Sequence, residues 1–193
     1  MALTTRIGIA SKPIEGERVN GDAWFFKTWD GQTLLAVIDG LGHGQEAALA
    51  SETARQYLID NYSSDLEGIM QGLHTELHKT RGCVAGLVYV NHVEKKITHC
   101  GIGNIDVIID SRPPAHPASL NGIVGVNIRK VLVFEYHYDS LRLVIMHSDG
   151  ISSRFDPGNY PLVFKNPQVV AEQIMADWGK STDDRLILIA AED

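Results

Sequence analysis

Five segments rich in branched and aromatic residues follow one another through the middle of the chain: Val84–Asn91, Lys96–Cys100, Ile105–Ile109, Val131–Tyr138 and Leu141–His147. Such segments favour strands. Short polar turns such as Asn91–Lys95 and Asp139-Ser140 join some of them, which suits antiparallel hairpins rather than βαβ units. Three more strand-like stretches come first, at Thr5–Ser11, Ala23–Thr28 and Thr33–Ile38, and Trp29-Asp30-Gly31-Gln32 is a hairpin turn between the last two.

The helical periods lie outside this block. Ala47, Ala50, Ala54, Leu58 and Tyr62 recur at helical spacing over Gln45–Tyr62. Leu66–His78 carries a narrow stripe of Ile69, Leu73, Glu76 and Leu77, and Gln168–Trp178 follows Pro167. Arg185–Ala191 closes the chain as a buried strand. Strands in the middle with helices on either side predict an α+β chain of two packed sheets with helices outside. The 193 residues suit one domain spanning 1–193, with no repeat or long linker. Ser111–Val124, with three prolines and Gly122, reads as a loop, and long loops in compact domains are often functional.

Composition excludes several classes. Hydrophobic residues are 44% and charged residues 21%, ordinary for a globular protein. The net charge of -7 disfavours nucleic-acid binding, which needs clustered Lys and Arg. No apolar run approaches a membrane span, and Met1-Ala2-Leu3-Thr4-Thr5-Arg6 lacks the pattern of a secretory leader, so a cytoplasmic location is expected. Cys83 and Cys100 form no CxxC motif and read as small core residues. The eight histidines are scattered and read as surface residues.

The chemistry lies in acids at strand ends. In Val37-Ile38-Asp39-Gly40-Leu41-Gly42-His43-Gly44 an apolar strand runs into an Asp, three glycines and then a helix. A buried carboxylate is costly unless paired or metal-bound. The glycines permit sharp bends and close backbone approach. Taken alone, the motif is equally compatible with a metal site and with a plain tight turn, and it lacks the Lys-Ser/Thr of a P-loop. Met146-His147-Ser148-Asp149-Gly150, Thr182-Asp183-Asp184 and Asn20-Gly21-Asp22 repeat the pattern. Any one of them is an ordinary turn; four, each abutting a core strand, argue for a carboxylate site. Carboxylates with carbonyls and water select Mg²⁺ or Mn²⁺.

The order Asn20-Gly21-Asp22-Ala23, Asp39-Gly40-Leu41-Gly42-His43-Gly44, Ser148-Asp149-Gly150 and Asp183-Asp184 resembles the PPM (PP2C-like) serine/threonine phosphatases. The Gly-x-Gly-His-Gly form is similar to the SpoIIE/RsbU-like branch, and Gly101-Ile102-Gly103-Asn104 with the short length to feedback phosphatases of the stressosome. The resemblance spans residues 6 to 191 and implies a four-layer αββα sandwich with two Mn²⁺ or Mg²⁺ ions at one end. By that resemblance Asp39 bridges both ions and Gly40 offers its carbonyl to one of them. Asp149 and Asp183 hold the other, Asp22 acts through bound water, and Asp184 stands behind the ligands. It implies hydrolysis of phosphoserine or phosphothreonine by metal-activated water, on phosphorylated RsbS- and RsbR-like STAS-domain proteins, by a monomer. Three departures stand out. Gly21 replaces the family's usual Glu, Arg18 is one residue off the phosphate-holding position, and Asn104 stands where relatives place a third-metal Asp. A binding module that docks phosphoproteins without turnover is the alternative, and the intact Asp39, Asp149 and Asp183 weigh against it.

Overall fold

A computed structural model describes residues 5–192; the first four residues of the leader reading lie outside it. The elements in chain order are β1 (Thr5–Lys12), β2 (Asp22–Trp29), β3 (Gln32–Gly40), α1 (Gln45–Asn61) and α2 (Leu66–Glu76), then β4 (Cys83–Asn91), β5 (Lys96–Ile102), β6 (Asp106–Arg112), β7 (Phe134–His137), β8 (Ser140–His147), α3 (Pro167–Trp178) and β9 (Arg185–Glu192). One sheet has the order β1-β9-β8-β6 and the other β2-β3-β4-β5-β7, and every named pairing is antiparallel.

Side-chain alternation builds four layers. Leu34, Ala36 and Ile38 of β3 face α1 and α2, in a core with Leu58, Met70 and Leu73. Leu35 and Val37 of the same strand face the second sheet, where Val144, Met146, Leu186 and Leu188 meet them. The opposite faces of β8 and β9, with Ile145, Ile187 and Ile189, pack on Val170 and Ile174 of α3. The result is the expected αββα sandwich, held mainly by apolar burial on three interfaces.

Most element bounds match the expectation within two residues. The turn after β2 has positive φ at both Asp30 (44°) and Gly31 (73°), a type I′ hairpin. Two expectations are corrected. The strand expected over Val131–Tyr138 is only Phe134–His137, because Val131 and Val133 leave the ladder to pack against the helix-side core. The second helix ends at Glu76 and tightens into a 3-10 turn over Leu77–Lys79; its apolar stripe includes Met70 and excludes Glu76. Cys83 and Cys100 are free and buried, as expected. No helix among the described residues is long and apolar enough to cross a membrane.

Candidate metal centre

Strand periodicity carries the acids to one place. In β3, residues 35 and 37 point between the sheets, so Asp39 continues that row. Trp24 of β2 packs on the same inner core, which puts Asp22 on the inner row two residues earlier. Leu186 and Leu188 do the same for Asp184, one residue before β9, and Val144 and Met146 for Ser148, one residue after β8. Asp22 and Asp39 are direct cross-strand partners. One end of the sandwich therefore collects acids from both sheets.

The surroundings are short of positive charge. None of Asp22, Asp39, Asp149, Asp183 and Asp184 forms an ion pair with Lys, Arg or His among the described residues. Burial, reinforced by the neighbouring Asp22, Asp149, Asp183 and Asp184, pushes the Asp39 carboxyl up to about 8. Burial likewise raises Asp22 to about 7, against an opposing hydrogen bond from Ser148. Ser148 is fully buried and donates to Asp22 Oδ2 at 2.6 Å while its Oγ accepts from the Leu186 amide at 3.0 Å. It ties a β8 end to β2 and β9 at once. Burial and the Asp149 charge also raise Asp183.

Asp39, Asp149 and Asp183 line one cleft of about 260 Å³ with Gly42, His43 and Asn104. A larger cleft of about 580 Å³ lies at the other end of β3, around Gln32, Asp65 and Tyr89, away from these acids. Asn104 donates to Asp149 Oδ2 at 2.7 Å, and Lys180 Nζ donates to the Asp149 carbonyl. Gly40 ends β3, and its amide donates to the Gly21 carbonyl at 3.1 Å, which joins the first two acidic motifs. Among the described residues no three His, Cys, Asp or Glu side chains converge in ready ligand geometry. The donors still fit a hard cation. They are all oxygen, and the buried oxygens Asp22 Oδ1 and Asp184 Oδ2 have no hydrogen-bond partner.

Gly21 has a structural reason. A β-carbon there would lie 2.6 Å from Asp184 Oδ2. The Asp184 carboxylate occupies the space a side chain at 21 would need, with its Oδ1 held by the Ile14 amide at 2.8 Å. An acidic group is thus present beside Asp22 although the sequence has none at position 21. Arg18 is exposed and has no ion pair with the cleft among the described residues.

The surface reading of the histidines is corrected at His99 and His147, while His43, His78, His116 and His137 are exposed as expected. His99 and His147 are fully buried, and burial lowers both, His99 to about 4. His74 accepts from the Gly125 amide at 2.9 Å, while His78 Nδ1 lies 2.9 Å from the Gly125 carbonyl, so the pair clamps the loop after Ser111–Val124. His43, which sequence reasoning left aside, stands at the cleft with Nδ1 3.2 Å from Glu17 Oε1. Its place inside the Gly-rich motif was the available clue.

The same architecture recurs among solved structures. A chain from work on the bacterial stressosome as a modular system adapted to control secondary messenger signalling superposes with a TM-score of 0.89 and 33% identity, covering 97% of this chain and 99% of that one. RsbX in complex with magnesium gives 0.85 at 21% identity over 98% and 96% of the two chains. The PP2C domain of SpoIIE from Bacillus subtilis gives 0.76 at 19% identity over 99% and 64%. Fold and acidic cleft define a PP2C-like phosphatase domain. No family model matches the sequence. The phosphoserine phosphatase RsbX of Bacillus subtilis (strain 168) is 30% identical over 141 residues, 72% of this chain and 70% of that protein. The chain belongs to the RsbX-related family of PP2C-like serine/threonine protein phosphatases.

Proposed function

We propose that this phosphatase is metal-dependent, that it uses two Mn²⁺ or Mg²⁺ ions, and that its substrates are phosphoserine- or phosphothreonine-bearing stressosome proteins of the RsbS/RsbR-like STAS class. The observation that carries the reading is the pair of cation-free carboxylates facing each other across β2 and β3, Asp22 buried and Asp39 half-buried at the cleft. Asp39, the Gly40 carbonyl, Asp149 and Asp183 would hold the ions. The ions, when bound, would supply an activated water and offset charge on the phosphoryl oxygens.

The chain's own groups do the rest. Ser148 donates to Asp22 and favours its carboxylate form against the burial that raises it, so that Asp22 would serve as a proton acceptor beside the cleft. Asp184, with one oxygen unpartnered, stands beside it as a second acceptor. Asn104 orients Asp149. His43, whose Nδ1 lies 3.2 Å from Glu17 Oε1, lines the same cleft. The name of the RsbX relative supports the phosphoserine substrate, and the stressosome origin of the 33% identical neighbour supports the partner class. We further propose that it acts as a cytoplasmic monomer with no nucleic-acid or membrane partner.

The test is phosphate release from an aryl phosphate and a phosphoserine peptide, with Mn²⁺, Mg²⁺ or chelator, by the native chain and Asp39→Asn. Metal-dependent turnover that Asp39→Asn abolishes is the expected result. A folded native chain inactive with every metal would sink the reading and put the binding module first.

A further inference from the structure

We infer that Arg81 receives the phosphoryl group of the substrate. This rests on the phosphatase reading above and supplies what Arg18 does not. Arg81 is exposed in the Thr80–Gly82 turn that leads from α2 into β4. Its guanidinium lies against the Gly-rich loop: a β-carbon on Gly42 would stand 3.2 Å from Arg81 Nη1. Gly42 has φ of 88° and lines the cleft that holds Asp39, Asp149 and Asp183.

The turn that presents Arg81 is fixed on three sides. The Leu41 amide donates to the Gly82 carbonyl at 3.0 Å, which binds the turn to the Gly-rich loop. Thr80 Oγ1 donates to the Leu77 carbonyl at 2.8 Å and accepts from the Gly82 amide at 3.0 Å. The Cys83 amide donates to the Val124 carbonyl at 3.0 Å. Position is therefore set by backbone, while the charged end has no hydrogen bond or ion pair among the described residues. Lys180 is already engaged with the Asp149 carbonyl.

A guanidinium fork matches two phosphoryl oxygens. A phosphate monoester dianion approaching this many carboxylates meets repulsion, and a fixed positive charge at the rim offsets it. Apolar side chains flank Arg81. Leu41 is 43% exposed on the Gly-rich loop. Val126 is 54% exposed, and its Cγ2 would be 3.0 Å from a β-carbon on Gly82. They suit contact with the residues on either side of a phosphorylated serine in a protein.

The experiment is calorimetric binding of inorganic phosphate to the Mn²⁺-loaded chain. Native protein, Arg81→Ala, Arg81→Lys and Arg18→Ala are compared, with KM and kcat for a phosphoserine peptide measured alongside. Arg81→Ala should weaken phosphate binding about tenfold or more and raise KM by a similar factor. Arg81→Lys should recover part of both, Arg18→Ala should change neither, and Mn²⁺-induced thermal stabilisation should persist in all four. Native-like phosphate affinity in Arg81→Ala overturns the assignment, as does failure of the native loaded chain to bind phosphate. Should the Ala variant not fold, Arg81→Gln gives the same comparison. Native turnover is read separately, so loss of activity in every protein strikes the phosphatase reading instead.

Discussion

Asp39→Asn should make the metal-free protein more stable, although it removes the residue on which the site turns. Burial and neighbouring charge raise the folded carboxyl from 3.8 to about 8. The raised value means that its contribution to stability is greatest below pH 3.8 and is lost as pH rises toward 8. At pH 7 the folded group holds a proton that the unfolded one has released. At about 1.4 kcal/mol per unit, that costs at most about 4 kcal/mol. Coupling to Asp22 and water entry reduce this to about 2 kcal/mol, or about 4–8 °C in Tm for a chain of this size. The asparagine variant has no such cost. The assay is thermal unfolding in chelator at pH 4 and pH 7.5. The variant should melt higher at pH 7.5 and close to the native chain at pH 4. Divalent cation should then reverse the order, since ligand binding stabilises only the folded state that holds it. A variant equally or less stable than the native chain at pH 7.5, with the same difference at pH 4, would refute the electrostatic argument.

Two further perturbations address the supports of the site. Ser148→Ala removes the bond to Asp22 and leaves the Leu186 amide without its side-chain acceptor. It should cost about 1–3 kcal/mol in urea unfolding and weaken Mn²⁺ binding, because Asp22 loses a partner that favours its charged form. Gly21→Ala places a methyl 2.6 Å from Asp184 Oδ2 and 3.0 Å from the Ala47 side chain. It should destabilise by about 1–3 kcal/mol, and Asp184→Ala should relieve part of that in a double-mutant cycle; strict additivity would show that the two positions do not share space.

Much of this arrangement was legible in the sequence because it rests on local rules. An apolar run ending in Asp-Gly marks both a strand and its terminus, and alternation within the strand decides which way the Asp points. That is how Asp39 and Asp149 stood out, while Asp183, placed before the last strand, came from the resemblance to the phosphatase motif; all three line one cleft. What was missed depends on contacts between distant segments. Met70 joins the core because α2 packs on sheet residues far along the chain. His74 and His78 clamp Gly125, far along the chain, which no local spacing predicts. Burial of His99 and His147 follows from the second sheet and the loop beyond it. Asp184 filling the space of Gly21 required segments from opposite ends of the chain to meet.

The shared inner row of strand residues has a consequence for how such a chain can vary. Asp39 reaches the cleft only because its sequence offset from Leu35 and Val37 is even, and the same holds for Asp22 before Trp24 and Asp184 before Leu186. Insertion or loss of a single residue inside β2, β3 or β9 turns the acid toward a helix layer and breaks the site while keeping the composition. The hairpin turns at Asp30-Gly31 and at His92–Lys95, at the far ends of their strands, carry no such parity. Length change is therefore better tolerated where the chain turns away from the cleft than along the strands that enter it.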